Sequence, residues 1–263
     1  MTAGDTSNGP SSRITIHPVT GMGEVRAGDD LPHLIATAIR QSGDTIMPGD
    51  ALIVTQKIVS KSEGRWASLA DVAPTAEAIS LAEQVRKEPR LVEMVLREST
   101  AVVRAAPHVL ITRHRCGFVM ANAGIDQSNL GGSDPDRILL LPLDPDQSAR
   151  ALRTGITALT GVAPAVVITD SFGRPWRHGV VPVAIGAAGL PSLIDRRGEP
   201  DRDGRTLAVT QVALADLVAA AAGLVTGEGA EGIPAALIRG LSLPQGDNPA
   251  VALVRPLEED LFR

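Results

Sequence analysis

The chain has 263 residues, enough for one large or two small domains, and 44 % of them are hydrophobic, which is ample to bury a core. A net charge of -5, with acids and bases interspersed, argues against a broadly basic surface for nucleic acid or anionic membrane as the main partner. One cysteine, Cys116, excludes an internal disulfide and suits a reducing cytoplasm, and a chain without tyrosine has few stacking platforms for single-stranded nucleic acid.

In chain order, residues 1–12 are polar, carry Gly, Ser and Pro, lack the apolar centre of a secretory signal and read as a disordered lead. Strand-like runs follow at Arg13–Ile16, Ala51–Thr55, His108–Thr112, Ile138–Leu141, Ala165–Thr169, Leu207–Thr210 and Ala235–Ile238. Several are continuous apolar runs, as in sheets covered on both faces. Between them, Leu31, Leu34, Ile35, Ala38 and Ile39 form an apolar helical stripe after the capping candidates Asp29 and Asp30, with Pro32 in the first turn. Further helical patterns lie at Ile79–Val85 and Leu91–Leu96, separated by Pro89, then at Leu152–Leu159 and Leu214–Val225. Val180–Ile194 is the longest apolar stretch, but Pro182, Gly186, Gly189 and Pro191 break it short of the ~20 residues a membrane helix needs. Residues 196–205, rich in charge and glycine, read as an exposed loop or hairpin. The mixed order predicts an α+β (mixed α/β) fold, with mixed sheets and flanking helices.

Five segments carry candidate chemistry. After the strand Ala165–Thr169, Asp170-Ser171-Phe172-Gly173-Arg174-Pro175-Trp176-Arg177-His178-Gly179 reads as a strand-end loop that groups a carboxylate, a hydroxyl, two arginines and a histidine. Arginine forks suit carboxylate or phosphate, and an Asp beside a hydroxyl suits a hard divalent cation. The plainer alternative has Asp170 starting a turn, the arginines in surface ion pairs and Trp176 filling core.

Pro18-Val19-Thr20-Gly21-Met22 is a turn by composition. Gln56–Arg65 spaces Lys57, Lys61 and Arg65 so that, on a helix, three cations share a face. Gly117–Asn129 offers small residues followed by Asp126, Ser128 and Asn129, either a polar pocket floor or a helix cap at Asp126. Gly227-Glu228-Gly229-Ala230-Glu231-Gly232 fits a dinucleotide-type glycine pattern but follows a helix and precedes a strand, which excludes a Rossmann site and leaves a helix exit. With no Walker motif a P-loop is excluded too, and the histidines are spaced poorly for zinc. The carboxylates Asp126, Asp170 and Glu228, with the cations Lys61 and Arg174, suit a nucleoside triphosphate held through divalent metal.

Taken in order, Ala51–Lys61 with Glu63-Gly64-Arg65, Ala123–Asn129, Asp170–Arg177 and Leu224–Gly232 with Ile233-Pro234 resemble the coenzyme F420:L-glutamate ligase family over about Ile14 to Leu241. The resemblance implies a family-specific ligase fold over residues 13–245. It implies GTP-dependent addition of L-glutamate, through γ-linked amides, to coenzyme F420-0 by way of an acyl phosphate. It further implies magnesium or manganese, two ions in all, with potassium, and a cytoplasmic homodimer whose site lies near the subunit contact.

Position by position, the resemblance implies metal binding by Asp126, Asp170, Ser171 and Glu228. Nucleotide contact is implied for Val19, Thr20, Gly21, Met22, Gln56, Lys61 and Asn129, and for the loop Thr226, Gly227, Glu228, Gly229, Ala230, Glu231, Gly232 and Ile233. Arg174, Arg177 and His178 are the candidate catalytic groups, holding the anionic arm of the acceptor or the carboxylates of incoming glutamate. Residues 246–263 resemble the lead into a nitroreductase-like second domain. A ligase for another acceptor, a silent F420-binding scaffold and, remotely, a nicotinamide oxidoreductase stay open as alternatives.

Overall fold

A computed structural model of the chain describes residues 13–260. Its main sheet has five strands: β1 (Thr15–Val19), β2 (Ala51–Thr55), β8 (Ala165–Arg174), β9 (Arg177–Ala188) and β12 (Ala235–Arg239), in the order β1-β12-β2-β8-β9. Only β2 and β8 run parallel, in a register that sets Ala51 beside Ala165 and Thr55 beside Thr169. The strands with continuous apolar runs lie here because both faces are covered. Leu52, Val54, Val166, Ile168 and Leu237 point into one core, with Ile35, Ile39, Leu152 and Ile156. Their neighbours Ala51, Ile53, Val167, Ala236 and Ile238 point into a second core with Val218, Ala219 and Ala222.

The first core is roofed by α1 (Leu31–Gln41) and α5 (Pro145–Thr160). Each starts on an aspartate cap: Asp30 accepts from the His33 amide at 3.1 Å and Asp144 from the Gln147 amide at 2.8 Å. The second core is roofed by α6 (Leu214–Thr226), whose small residues admit close packing. At Gly223 a Cβ would stand 2.8 Å from the Pro182 ring on β9. That approach fixes where the exit of α6 lands relative to the β8–β9 hairpin.

Between β2 and β8 the chain builds a smaller lobe. α3 (Ala76–Val85) and α4 (Pro89–Arg97) pack through Ala78, Ala82, Val92 and Val95 onto the antiparallel sheet β4 (Ser99–Ala106), β5 (Val109–His114) and β6 (Val119–Ala121). The short pair β3 (Trp66–Ser68) and β7 (Arg137–Leu139) links this lobe to α2 (Gln56–Ser62), and β10 (Leu193–Asp195) pairs β11 (Gln211–Ala213) beside α6. The mixed α+β reading holds, and neither a P-loop nor a Rossmann unit is present among the described residues.

Three expectations are corrected, and a fourth stretch finds its place. Asp170–Gly179 is not a strand-end loop: β8 continues to Arg174, Pro175-Trp176 make a two-residue turn, and β9 returns from Arg177. Trp176, at its tip, is 82 % exposed and does not fill core. The punctuated stretch from Val180 is mostly strand β9, which tolerates Pro182 because it is the sheet edge. Leu207–Thr210 is irregular, with Val209 exposed and nothing to pack on, and the strand begins at Gln211.

The lead 1–12 and residues 261–263 lie outside the described residues. Residues 246–260 are packed against the body. Asn248 accepts from the amides of Ser192 and Leu193, Val254 approaches Gly117, and Asp260 pairs with Arg113 at 3.2 Å.

Candidate active site

The parallel pair at the centre of the sheet decides where the site sits. The parallel pairing of β2 with β8 ends at Thr55 beside Thr169, so the residues that follow both emerge at one edge, the position where open α/β sheets place ligands. Gln56 opens α2 from the first strand, while Asp170 and Ser171 continue β8 from the second. A cavity of about 690 Å³ opens there, floored by these residues and walled by Met22–Val25, Met120–Ala121, Gly124–Asp126, Ser128–Asn129 and Thr226–Pro234.

Asp126 is carried in by a tight turn. Asn122, Ala123 and Gly124 have φ of 50°, 52° and 69°, and at Gly124 a Cβ would lie 2.7 Å from Met120 and 2.9 Å from Leu141. The backbone of Asp126 then exchanges both hydrogen bonds with Leu139, at 2.9 and 3.0 Å, which removes the helix-cap reading of this residue. Its carboxylate accepts from the Gln56 amide at 2.6 Å and faces the Lys57 ammonium at 3.5 Å. Burial raises the Asp126 pKa, and Lys57 and Gln56 oppose that rise.

Asp170 is half-buried and its pKa is raised to about 7, first by burial and then by the negative charge of Asp126, with Glu228 adding to it. Three carboxylates from three segments therefore share one electrostatic neighbourhood without a full complement of cations. Ser171 donates to Glu228 Oε2 at 2.6 Å. Glu231 turns away instead, accepting from the Gly229 amide at 2.8 Å and lying against Gly227, where a Cβ would meet its carboxylate at 2.2 Å. The loop thus presents Glu228, and not Glu231, to β8. Among the described residues no three His, Cys, Asp or Glu side chains converge into a ready-made metal cage. The donor set nonetheless fits a hard cation that takes its remaining oxygens from phosphate and water: carboxylates and a hydroxyl, with mutual repulsion that a cation would relieve.

The expected residues divide. Gln56, Lys61, Asn129, Asp126, Asp170, Ser171 and the whole run Thr226–Ile233 line the cavity, as does Met22. Val19, Thr20 and Gly21 do not: Val19 is core, and Thr20 meets Ser42 at 3.2 Å. On the hairpin the lining stops at Gly173 on β8 and resumes at Pro182 on β9, so Arg174, Arg177 and His178 stand beyond it, and Arg174 spends one guanidinium donor on the His178 carbonyl at 3.0 Å. The shared cationic face also breaks up. α2 stops at Ser62, Lys57 and Lys61 turn to the cavity, and Arg65 leaves it to pair with Glu98 at 3.0 Å. Cys116 lies in a separate, smaller cavity and burial pushes its thiol pKa up, which suits no nucleophilic role.

Sequence reasoning missed Glu24, Gly131 and Phe172 as lining residues. Glu24 sits in irregular chain between β1 and α1 with no periodic pattern around it, and only its proximity to Pro18–Met22 could have drawn notice; that segment is not the expected turn, because Pro18 and Val19 close β1.

Comparison with known proteins covers the same segments of the chain. The family model described as F420-0:Gamma-glutamyl ligase matches residues 21–240, which spans every cavity segment. The chain is 46 % identical over 254 residues to the coenzyme F420:L-glutamate ligase of Methanopyrus kandleri, covering 95 % of this chain and 98 % of that protein. It is 44 % identical to the protein of the same name from Methanothermobacter thermautotrophicus, with 95 % and 99 % covered, and 42 % identical to that of Halobacterium salinarum, with 93 % and 94 % covered. With the match extending over most of the chain and through all the segments that build the cavity, the protein belongs to the F420-0:Gamma-glutamyl ligase family.

Proposed function

We propose that the protein joins L-glutamate to coenzyme F420-0 through γ-linked amide bonds, with GTP hydrolysed to GDP and phosphate. The observation that carries this reading is the meeting of Asp126, Asp170 and Glu228, from separate segments, in one cavity beside a buried lysine and a glycine-rich turn. A carboxylate does not condense with an amine unaided. In the proposed sequence an acceptor carboxylate oxygen attacks the terminal phosphorus of GTP and GDP leaves. The glutamate amine then attacks the acyl phosphate carbonyl, the C–O bond to phosphate breaks, and the amine proton is lost to solvent.

Asp126, Asp170, Ser171 and Glu228 would hold magnesium or manganese, which supplies charge neutralisation at the phosphates. The residues of the chain do the rest by position. Gln56 and Lys57 orient Asp126, at 2.6 and 3.5 Å. The glycine-rich loop after α6 lets backbone come close to phosphate oxygens, although the Gly227 amide now donates to the Gly223 carbonyl and the Gly229 amide to the Glu231 carboxylate. Arg174, Arg177 and His178, on the hairpin just outside the cavity, would meet the anionic arm of the acceptor as it enters. No protein nucleophile is needed.

The expected homodimer belongs to the same proposal, and a sedimentation mass measured at micromolar concentration tests it. The reaction itself is tested by incubating the protein with F420-0, L-glutamate, GTP, manganese and potassium, and reading added glutamyl units by mass spectrometry. Glutamylated product that requires GTP supports the reading. Absence of product from folded protein that binds GTP would move the assignment to another acceptor.

A further inference from the structure

The buried lysine of the cavity has a carboxylate partner, Glu24, that the chemistry above does not use. Lys61 is 5 % exposed, and its ammonium donates to the Glu24 carboxylate and, at 3.3 Å, to the carbonyl of Asn129. Glu24 comes from the irregular chain between β1 and α1, and its side chain is 57 % exposed. One partner is sealed in the wall; the other reaches in from solvent. Gly131 completes the seat from the far side, at φ +74°, where a Cβ would lie 3.1 Å from Glu24 Oε1. Asn129 connects this seat to the glycine-rich turn, donating from its amide to the Gly229 carbonyl at 3.1 Å.

A buried ammonium requires a counter-ion, because an unpaired charge in the wall is costly. A counter-ion that stays more than half in water contributes little net energy and exchanges readily for an anion of higher charge. A triphosphate entering the cavity carries such an anion, and it cannot share the seat with a carboxylate.

We infer that Lys61 and Gly131 form an anion seat whose resting occupant is Glu24, and that phosphate oxygens of the nucleotide take the seat by displacing Glu24 outward. The inference rests on the nucleotide reading of the cavity and adds a residue to it. Glu24 is a positioning residue: it holds Lys61 in place while the cavity is empty and competes with phosphate as it fills. The competition lowers apparent affinity by the fraction of molecules whose seat is open.

The test is calorimetric titration of the whole chain, near neutral pH, with magnesium-GTP and separately with tripolyphosphate, for wild type, Glu24→Gln and Lys61→Met. Glu24→Gln is expected to bind both probes about three- to tenfold tighter, and Lys61→Met to bind both more weakly. Hydrogen exchange supplies a readout that loss of a charge alone would not move: in wild type, tripolyphosphate should speed exchange in the 20–25 segment while slowing it in residues 126–132. Equal or weaker binding by Glu24→Gln with an unchanged melting temperature overturns the inference, as does slowed or unchanged exchange at 20–25. A gain with tripolyphosphate but no binding of GTP would keep the seat and reject the nucleotide reading. GTP binding without any gain would do the reverse, and binding of neither probe would reject both.

Discussion

Ser171 and Glu228, 57 positions apart, meet at 2.6 Å across the mouth of the cavity, the hydroxyl donating to the carboxylate. The contact joins the central strand β8 to the turn that leaves α6, and it holds Glu228 in the electrostatic neighbourhood of Asp170. Two acids that repel are thus held near each other by a neutral donor, an arrangement that a cation would relax.

Replacing Asp170 by Asn should remove that cation's charged ligand while keeping the side-chain shape. Glutamyl transfer is expected to fall about 100-fold or more, with a melting temperature at or above wild type, because a buried charge penalty is removed too. Wild-type turnover by the variant at saturating metal would refute the role of Asp170.

The same residue sets a pH dependence. Its folded pKa, about 7, lies above the ordinary 3.8, so the folded state keeps a proton that the unfolded chain releases. Without metal its contribution to stability is therefore greatest at low pH and declines as pH rises from about 4 to about 7. In chelator, the melting temperature of Asp170→Asn minus that of wild type should grow across this window and level off above it. Divalent metal must expel the proton, so wild-type affinity should rise with pH through neutrality with about one proton released. A flat difference and proton-free binding would contradict the assignment.

Arg177 stands beyond the cavity lining and, in the proposed reading, meets the acceptor and not the nucleotide. Arg177→Ala should raise KM for F420-0 about tenfold, the worth of one charge-assisted hydrogen bond, with KM for GTP unchanged. Steady-state kinetics varying each substrate in turn decides it; equal effects on both would place Arg177 elsewhere.

Two changes away from the cavity test the frame. Asp50 is 1 % exposed and is gripped by Arg239, Nε to Oδ1 at 3.0 Å and Nη2 to Oδ2 at 2.8 Å, with Asp44 on the same guanidinium at 3.2 Å. Arg239→Ala leaves a buried carboxylate unpaired and should cost about 3 kcal/mol, lowering Tm by about 10 °C. Gly186→Ala would drive a Cβ to 2.2 Å from the Pro145 carbonyl oxygen, prising β9 from α5, at a cost of about 3 kcal/mol. Urea melts of both variants against wild type supply the check.

Strands β2, β8 and β12 were legible because each carries a continuous apolar run, Ala51–Val54, Ala165–Ile168 and Ala235–Ile238, as a sheet covered on both faces requires. The continuation of β8 into a hairpin was not, because glycine and proline usually end strands; here they lie near the hairpin tip and on an edge strand, where no further ladder demands them. Strand β4 was missed for the opposite reason: Val102 and Val103 are both exposed, so no alternation marks a buried face. Asp126, Asp170 and Glu228 stood out as acids beside small residues. Their grouping was expected from the residue types and from the family resemblance; its geometry was not legible, since it depends on the parallel register of β2 with β8 and on the close seat of α6 against Pro182.

That lone parallel pair has a consequence for how the molecule comes into being. Its strands are separated by the whole smaller lobe, so they can meet only after a long crossover has closed, which makes this contact slow to form. Glu228 arrives later still in the chain, on the exit from α6. On the proposed nucleotide reading, capacity for GTP should therefore appear in refolding as a single late step, after the helical signal has already recovered.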